Sequence, residues 1–375
     1  MDKMADVLGR AGAWCGQNKY LSAIKNAFQN FMPLTIAGAI GVLWCNVLVS
    51  ETTGLGMFFK PIMALDFLNP AFQAVNFCTI SCITVGITLG IAQEIGVWNM
   101  GAERAGYIPG LVGLAAWLSV TNTSHMVDGA KEAFTGVAGN ELGATGLFTG
   151  MIIGVLSVEL FCFFEKQDAL KIKMPEQVPP GVARAFEVLV PATITLIITA
   201  CIGSACYNLT GLYLNDVIKN GIQGPLGAVG ATIPGVMIIY LVIMLFWLVG
   251  IHGNNMLSAV KEALFTPLAL ENVEAFNKGE TPKNIINMYA LQMWGEFGGS
   301  GVTIGLVIAI MIFGKREDNK AIASLSLVPG LFNINETVTF GIPMVLNPIL
   351  GIPFVFAPLV TIIIGYVLTV IGFCP

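Results

Sequence analysis

The sequence predicts an all-α protein that crosses a membrane several times. Of its 375 residues, 55% are hydrophobic and only 11% are charged, and its mean hydropathy is +0.78. A soluble globular protein carries about a quarter charged residues. Apolar runs of about 20 residues recur along the chain, which is the length that a helix needs to cross the hydrocarbon core. A transmembrane β-barrel would instead alternate apolar and polar residues with period two.

Residues 1–30 predict a helix that lies on the cytoplasmic face of the membrane. Tyr20, Ile24, Ala27 and Phe28 recur at helical spacing opposite lysines, which is the pattern of an interfacial amphipathic helix. No cleavable signal peptide is evident, because the first 30 residues lack a compact apolar core. We therefore expect a cytoplasmic N-terminus ahead of the first crossing.

Residues 31–210 predict an N-terminal transmembrane half with five crossings. Glycines at four-residue spacing, as at Gly146, Gly150 and Gly154, predict close helix–helix contact. The basic residues between the fourth and fifth crossings place that loop in the cytoplasm by the positive-inside rule. The predicted crossings are residues 32–50, 74–92, 107–120, 144–164 and 187–207.

Residues 211–375 predict a C-terminal transmembrane half whose apolar segments are interrupted by polar residues. Residues 228–250 read as a span, and residues 251–270 as a re-entrant or broken helix. Residues 321–340 are too polar for an ordinary span and predict a re-entrant hairpin. Counting crossings places the basic residues near 315 outside, so either one more crossing lies in 251–297 or 185–250 is miscounted.

Three polar islands in this second half predict a binding site. Ionisable residues at membrane depth are rare and functional, and paired broken segments indicate a substrate site. Amide and carboxylate groups can bind a polyhydroxylated molecule. Alternatives are a buried Glu336 that meets backbone amides at a helix break, a core histidine bonded to a backbone carbonyl, and a Glu296 at the membrane interface. The islands are His252 with Asn254 and Asn255; Glu296; and Asn333, Asn335 and Glu336.

No motif in the sequence predicts a cofactor. Walker-type GxxxxGK[ST], HExxH, CxxC and Rossmann patterns are absent, so we expect no bound nucleotide, no metal site and no nucleic-acid partner. Cys78 and Cys82 can share a helix face and bind a soft metal, but no histidine is near them. The energy for transport would then come from a partner protein or from an ion gradient.

Several stretches make the chain similar to a known family. It resembles the membrane subunit, enzyme IIC, of the bacterial sugar phosphotransferase system (PTS), in its lactose/cellobiose/diacetylchitobiose branch. The matches are collinear between about residues 19 and 355. They are residues 23–26 (AIKN) with 32–35 (MPLT), 174–180, 250–253 (GIHG), 298–306 (GGSGVTIGL) and 332–348.

The resemblance implies a fold of about ten helices with two re-entrant hairpins. It also implies a permease in the bacterial cell (inner) membrane, in which the first half forms a homodimer and the second half binds a β-linked disaccharide of the cellobiose, diacetylchitobiose or lactose type. His252 and Glu336 would contact the sugar near its 6-hydroxyl as catalytic residues, with Glu336 favoured as the base. Asn333, Asn335 and Asn254 would be further substrate-binding residues.

The same resemblance implies partners and a reaction. A soluble IIB subunit, itself served by IIA, would bring a phosphocysteine to the cytoplasmic opening, and the phosphoryl group would pass to the 6-hydroxyl. The subunit would thus belong to a protein-N(pi)-phosphohistidine–sugar phosphotransferase whose donor residue lies on IIB. No cofactor is implied.

The chain departs from the family pattern at two places. Thr337 stands where the family usually has proline. The family also continues past this chain's last residue, so we expect a second half that is incomplete relative to the family. Two other functions therefore stay open, an ion-coupled secondary transporter of a small polar solute and a truncated, non-transporting remnant.

Overall fold

The protein is almost wholly helical. A computed structural model describes residues 2–51, 54–125, 134–175, 177–342, 344–347 and 349–374, and the side chains of these except at 2–5, 228 and 229. Pro343 and Pro348, expected to interrupt the last apolar segment, lie outside the described residues. Strands β1 (Ser124–His125) and β2 (Phe134–Thr135) form a short antiparallel pair. The fold class predicted from hydropathy is therefore confirmed.

The helices follow one another with few long connections. The first ten are α1 (Asp2–Gln17), α2 (Lys19–Leu43), α3 (Asn69–Asn76), α4 (Ile83–Met100), α5 (Ala102–Ala105), α6 (Ile108–Val120), α7 (Gly139–Leu142), α8 (Ala144–Glu165), α9 (Pro180–Thr210) and α10 (Leu214–Ile218). The others are α11 (Gly224–Gly230), α12 (Ile233–Leu248), α13 (Gly253–Asn277), α14 (Met288–Gly295), α15 (Ile304–Phe313), α16 (Glu317–Leu331), α17 (Glu336–Gly341) and α18 (Gly351–Val370). Short π turns (Trp44–Leu48, Phe77–Ser81, Lys219–Gln223) and 3-10 turns (Leu55–Met57, Lys60–Leu68, Asp168–Leu170) complete the helical structure.

Several of these helices have the length and composition of membrane spans. In the described part of the chain, four helices are long and apolar enough to cross a membrane, or five if the bent pair Lys60–Ser81 and Ile83–Met100 counts as one span. The four are Lys19–Leu48, Ala144–Glu165, Pro180–Thr210 and Gly351–Val370. Three shorter apolar helices, α6, α12 and α15, add to them.

The chain forms two compact units, Ala23–Gly224 and Met1–Ser22 with Pro225–Pro375. These limits differ from the predicted boundaries after residues 30 and 210. Helix α2 runs through residue 30 without a break, because Pro33 is accommodated inside it. The connector at residues 214–223 stays with the first unit, where buried Asn215 donates a hydrogen bond to Glu141.

The unit Ala23–Gly224 is organised around α4, α6 and α8, which pack against one another, with α9 beside α6 and α8. Their contact surfaces bury large side chains, among them Ile91, Trp117 and Phe161. Small residues allow the close approach. A Cβ on Gly150 of α8 would lie 2.1 Å from Thr88 Oγ1 of α4, so these two helices meet without room for a methyl group.

We expect Gly150→Ala to destabilise this unit. Thr88 is fully buried, so its side chain has little room to move away, and overpacking of this kind costs about 1–3 kcal/mol. A melting curve of the purified protein in detergent should show a lower midpoint. Gly181→Ala is the control, because a Cβ there meets no atom within 4 Å. Equal midpoints for the two variants would contradict the close contact of α4 and α8.

Ion pairs fasten the basic loop between α8 and α9. Glu165, whose side chain is 3% exposed, accepts from both Arg104 and Arg184, at 2.8 and 2.9 Å. Both arginines also contact Glu187. The hydrogen bond to Glu165 raises the pKa of Arg104 above its ordinary value. A buried carboxylate with two cationic partners is satisfied where an unpaired one would be costly.

In the other unit, the predicted irregular segments are shorter than expected. The break after α12 is limited to residues 249–252, and α13 then continues for 25 residues with Pro267 inside it. We predicted that residues 251–270 form either a broken helix or a re-entrant segment. The prediction of a broken helix is wrong from residue 253 onward, because a regular helix begins there, capped by the His252 side chain. The re-entrant form stays a prediction. In residues 321–340, a break at 332–335 separates α16 from α17.

Candidate functional site

His252 is fixed by its place at the start of α13. It is the N-cap residue, and its Nδ1 accepts a hydrogen bond from the backbone N–H of Asn255 at 3.2 Å. In a neutral imidazole one ring nitrogen accepts and the other donates. Nε2 therefore carries the hydrogen, and it lies 3.3 Å from Glu336 Oε1. The imidazole thus presents a donor to that carboxylate.

Aromatic side chains support the imidazole from behind. Trp247, which is 1% exposed, lies with its ring centroid 4.4 Å from that of His252. The ring of Phe340 lies 6.3 Å from Trp247. These contacts, together with the cap, leave the His252 ring few other orientations.

Glu336 is the first residue of α17, and only one of its two carboxylate oxygens contacts His252. Oε1 lies against His252, whereas Oε2 has no hydrogen-bond partner in the part of the chain that the structure describes, although the side chain as a whole is 44% exposed. A buried acceptor without a partner is uncommon in proteins and calls for an explanation. A ligand hydroxyl that donates to Oε2 would supply one.

Asn333 and Asn335 hold a glycine-rich loop, residues 296–303, against α17. The Asn333 side-chain oxygen accepts from the backbone N–H of Gly298 at 2.9 Å, and the Asn335 amide donates to the carbonyl of Ser300 at 2.6 Å. Asn335 is 3% exposed, so the structure places it behind the site in a supporting position. Asn333 is exposed and remains a predicted hydroxyl partner.

Asn254 joins the same loop from α13. Its amide nitrogen donates to Ser300 Oγ at 2.8 Å. Its Oδ1 is buried and without a described hydrogen-bond partner, like Glu336 Oε2. The structure therefore brings His252 to Glu336 directly, and links Asn254, Asn333 and Asn335 through the glycine-rich loop.

The third polar island, Glu296, lies in the interior. Its Oε1 contacts Lys261 Nζ and accepts from Tyr240 Oη at 2.8 Å. Its side chain is 12% exposed and therefore lies inside the protein, while the alternative position at the depth of the membrane interface stays a prediction. Lys261 was missed in the sequence, although a lysine nine positions after His252 in an apolar helix is a signal of a buried charge. Tyr240 and Trp247 carried no such signal among other core aromatics.

Two substitutions separate the two roles of the His252 ring. Asparagine at 252 can keep the N-cap acceptor but cannot reach Glu336, whereas glutamine can reach Glu336 and caps poorly. We expect His252→Asn to melt like the unchanged protein and to lose most activity. His252→Gln should be less stable by about 1 kcal/mol and keep more activity. Melting midpoints check the expected stabilities, and rates of the sugar phosphorylation that the resemblance implies check the expected activities; the opposite order of rates would contradict them.

The described residues contain no group of three or more His, Cys, Asp or Glu side chains that could hold a metal ion. The groups that the structure brings together at the site are a carboxylate, an imidazole N–H and amides. Such groups can bind hydroxyls and move a proton.

A helical protein with several apolar spans and a polar site at breaks between helices has the architecture of a membrane transport protein. The family model described as "Phosphotransferase system, EIIC" matches residues 25–358. The chain belongs to this family and is an integral membrane protein, the permease component of a sugar phosphotransferase system. The resemblance found in the sequence is confirmed.

Individual relatives match along nearly the whole chain. The oligo-β-mannoside-specific EIIC component of Bacillus subtilis is 32% identical over 100% of this chain and 83% of its own length. The cellobiose-specific EIIC component of Lactococcus lactis is 30% identical over 98% and 86%. The crystal structure of ChbC, the IIC component for N,N'-diacetylchitobiose, superposes with a TM-score of 0.85 at 30% identity, covering 96% of this chain and 83% of ChbC.

Proposed function

We propose that this permease binds a β-linked disaccharide and presents its 6-hydroxyl for phosphorylation by phospho-IIB. The observation that carries the proposal is the His252–Glu336 contact, in which both side chains are partly exposed (36% and 44%) and one carboxylate oxygen has no hydrogen-bond partner among the described residues. The substrates named for the relatives, oligo-β-mannoside, cellobiose and N,N'-diacetylchitobiose, support the sugar class.

In the proposed reaction, His252 orients the carboxylate of Glu336, and Glu336 acts as the general base. His252 Nε2–H holds Glu336 Oε1, which leaves Oε2 to accept the hydrogen of the 6-hydroxyl. As that proton moves to Oε2, the sugar oxygen bonds to the phosphorus of the phosphocysteine on IIB, and the S–P bond breaks. The cysteine leaves as a thiolate, and the phosphosugar is released on the cytoplasmic side. A carboxylate within hydrogen-bond reach of the hydroxyl is what a general base requires.

The proposal also covers the cellular location, the oligomeric state and the partner subunits of the protein. We infer that the protein lies in the bacterial cell (inner) membrane with its N-terminus in the cytoplasm, as the basic loop between α8 and α9 indicates. We also infer that it is a homodimer formed by its first half, and that it works with IIA and IIB subunits. These assignments rest on family membership and on the charge pattern.

Uptake into membrane vesicles tests the proposal. Vesicles with this protein should accumulate labelled cellobiose or diacetylchitobiose as the phosphosugar only when phosphorylated IIB is supplied. A proton or sodium gradient without IIB should have no effect, because in the proposed reaction the phosphoryl donor on IIB supplies the energy. Gradient-driven uptake of free sugar would support an ion-coupled transporter instead, and absence of sugar binding would support a non-transporting remnant.

A further inference from the structure

We propose that Lys261, Glu296 and Tyr240 form a buried anchor that positions Glu336 against His252. None of the three need touch the sugar, so they are positioning residues. The inference rests on the proposed function, because it concerns the geometry of the same site.

The anchor is a charge pair in an apolar interior. The side chains of Lys261 and Glu296 are 4% and 12% exposed, and their charged atoms are in direct contact. The Tyr240 hydroxyl, also buried, donates to the same carboxylate oxygen and lies 3.2 Å from the Leu291 carbonyl oxygen. The Lys261 ammonium lies 5.5 Å from the centroid of the Tyr240 ring.

Stability alone does not account for this pair. Removing two charges from water is costly, and replacing a buried ion pair with apolar residues of similar volume is often neutral or stabilising. A pair of this kind is therefore explained better by what it holds in place. It connects α13, which begins at His252, with the residue that follows α14.

Glu296 fixes the beginning of the glycine-rich loop. Its backbone carbonyl accepts from Gly299 N–H at 2.8 Å, while its side chain is held by Lys261 and Tyr240. The next residues adopt the left-handed backbone region, with φ of +81° at Gly298 and +92° at Gly299. The hydrogen bond and the glycine conformations therefore fix the backbone of the loop where it follows Glu296.

The glycine-rich loop in turn contacts the residues that precede Glu336. Gly298 and Ser300 bond the side chains of Asn333 and Asn335, as described above. A Cβ on Gly299 would lie 2.5 Å from Cβ and Cγ of Asn335, so the loop is in direct contact with the residue before Glu336. On the other side, Ser300 Oγ accepts from Asn254, close to His252.

Together these contacts connect the anchor to both His252 and Glu336. The connection runs from His252 along α13 to Lys261, across to Glu296, through the loop to Asn335, and back through Glu336 to His252. Small displacements of a reacting group can lower rates by about a hundredfold. A loosened anchor should therefore reduce phosphoryl transfer more than it reduces sugar affinity, which depends on many other contacts.

Single substitutions test the anchor. Glu296→Gln should lower the transfer rate at saturating sugar by about tenfold and Tyr240→Phe by about threefold, with sugar Kd changed less than about threefold in both. The control is Glu274→Gln, which neutralises a surface carboxylate paired with Lys278 on the same helix without touching the loop or the anchor. It should keep both the rate and Kd within about twofold.

The double variant Lys261→Met/Glu296→Met separates positioning from folding. With both charges removed, the protein should fold and melt near the unchanged midpoint, yet its rate per sugar-binding site should stay about tenfold low. A double variant that folds and transfers at the full rate overturns the inference, as do single variants with unchanged rates. Glu336→Gln is assayed in parallel. If it is inactive while the anchor variants are fully active, only this inference fails; if it is fully active, the proposed function fails.

Discussion

Replacing Glu336 with glutamine should abolish phosphoryl transfer to the sugar while leaving sugar binding measurable. Glutamine keeps the shape of the side chain and can still accept a hydrogen bond, but it cannot take the proton of the 6-hydroxyl. A positioned general base contributes about 10²–10⁴-fold to the rate, so the loss should be of that order. Phosphosugar formation with phospho-IIB at saturating sugar is the measurement, with sugar Kd determined on the same preparation.

The control for this substitution is Glu274→Gln at the other end of α13. Glu274 pairs with Lys278 on the surface, 2.7 Å away, and takes no part in the site. It should transfer and bind as the unchanged protein does. Full transfer by Glu336→Gln would remove the carboxylate from the mechanism.

Gly299→Ala should disable the site more completely than any change of a supporting side chain. Its φ of +92° is unfavourable for a residue with a Cβ, and the added carbon would overlap Asn335. Strain and overpacking together should cost about 2–5 kcal/mol, and the loop cannot relax without releasing Asn335. We expect loss of detectable sugar binding and a lower melting midpoint.

Gly305→Ala is the matched control for that change. Gly305 lies six positions further on, in the first turn of α15, and a Cβ there meets no atom within 4 Å. It should bind sugar and melt normally. If Gly299→Ala also binds sugar normally, the loop is not the rigid support described here.

The sequence predicts the apolar elements well because their length follows from the thickness of a membrane. The predicted span 144–164 matches α8 (Ala144–Glu165), and 187–207 lies within α9 (Pro180–Thr210); α6 (Ile108–Val120), predicted as the crossing 107–120, is shorter than a full span. The start of the first span was predicted less well. The predicted span 32–50 begins inside α2, which runs from Lys19 to Leu43 with Pro33 within it, since neighbouring helices can compensate for the backbone groups that a proline frees.

The site was predicted only in part, and the reason is physical. Rarity singles out His252, Glu296 and Glu336, because charge is costly at membrane depth. Contacts between residues far apart in the chain produce no comparable signal in the sequence. That Asn335 supports a loop 35 residues away, and that Tyr240 completes the Glu296 contacts, follows only from the fold.

The most direct test compares a disaccharide with its 6-deoxy analogue, by measuring Kd for both in the unchanged protein and in Glu336→Gln. If Glu336 Oε2 accepts the 6-hydroxyl, the analogue should bind more weakly to the unchanged protein, by about tenfold for a hydrogen bond to a charged group. That difference should shrink to about threefold in Glu336→Gln, where a neutral amide can only replace the carboxylate as a weaker hydrogen-bond acceptor. An equal difference in both proteins would show that the 6-hydroxyl lies elsewhere and would contradict the account.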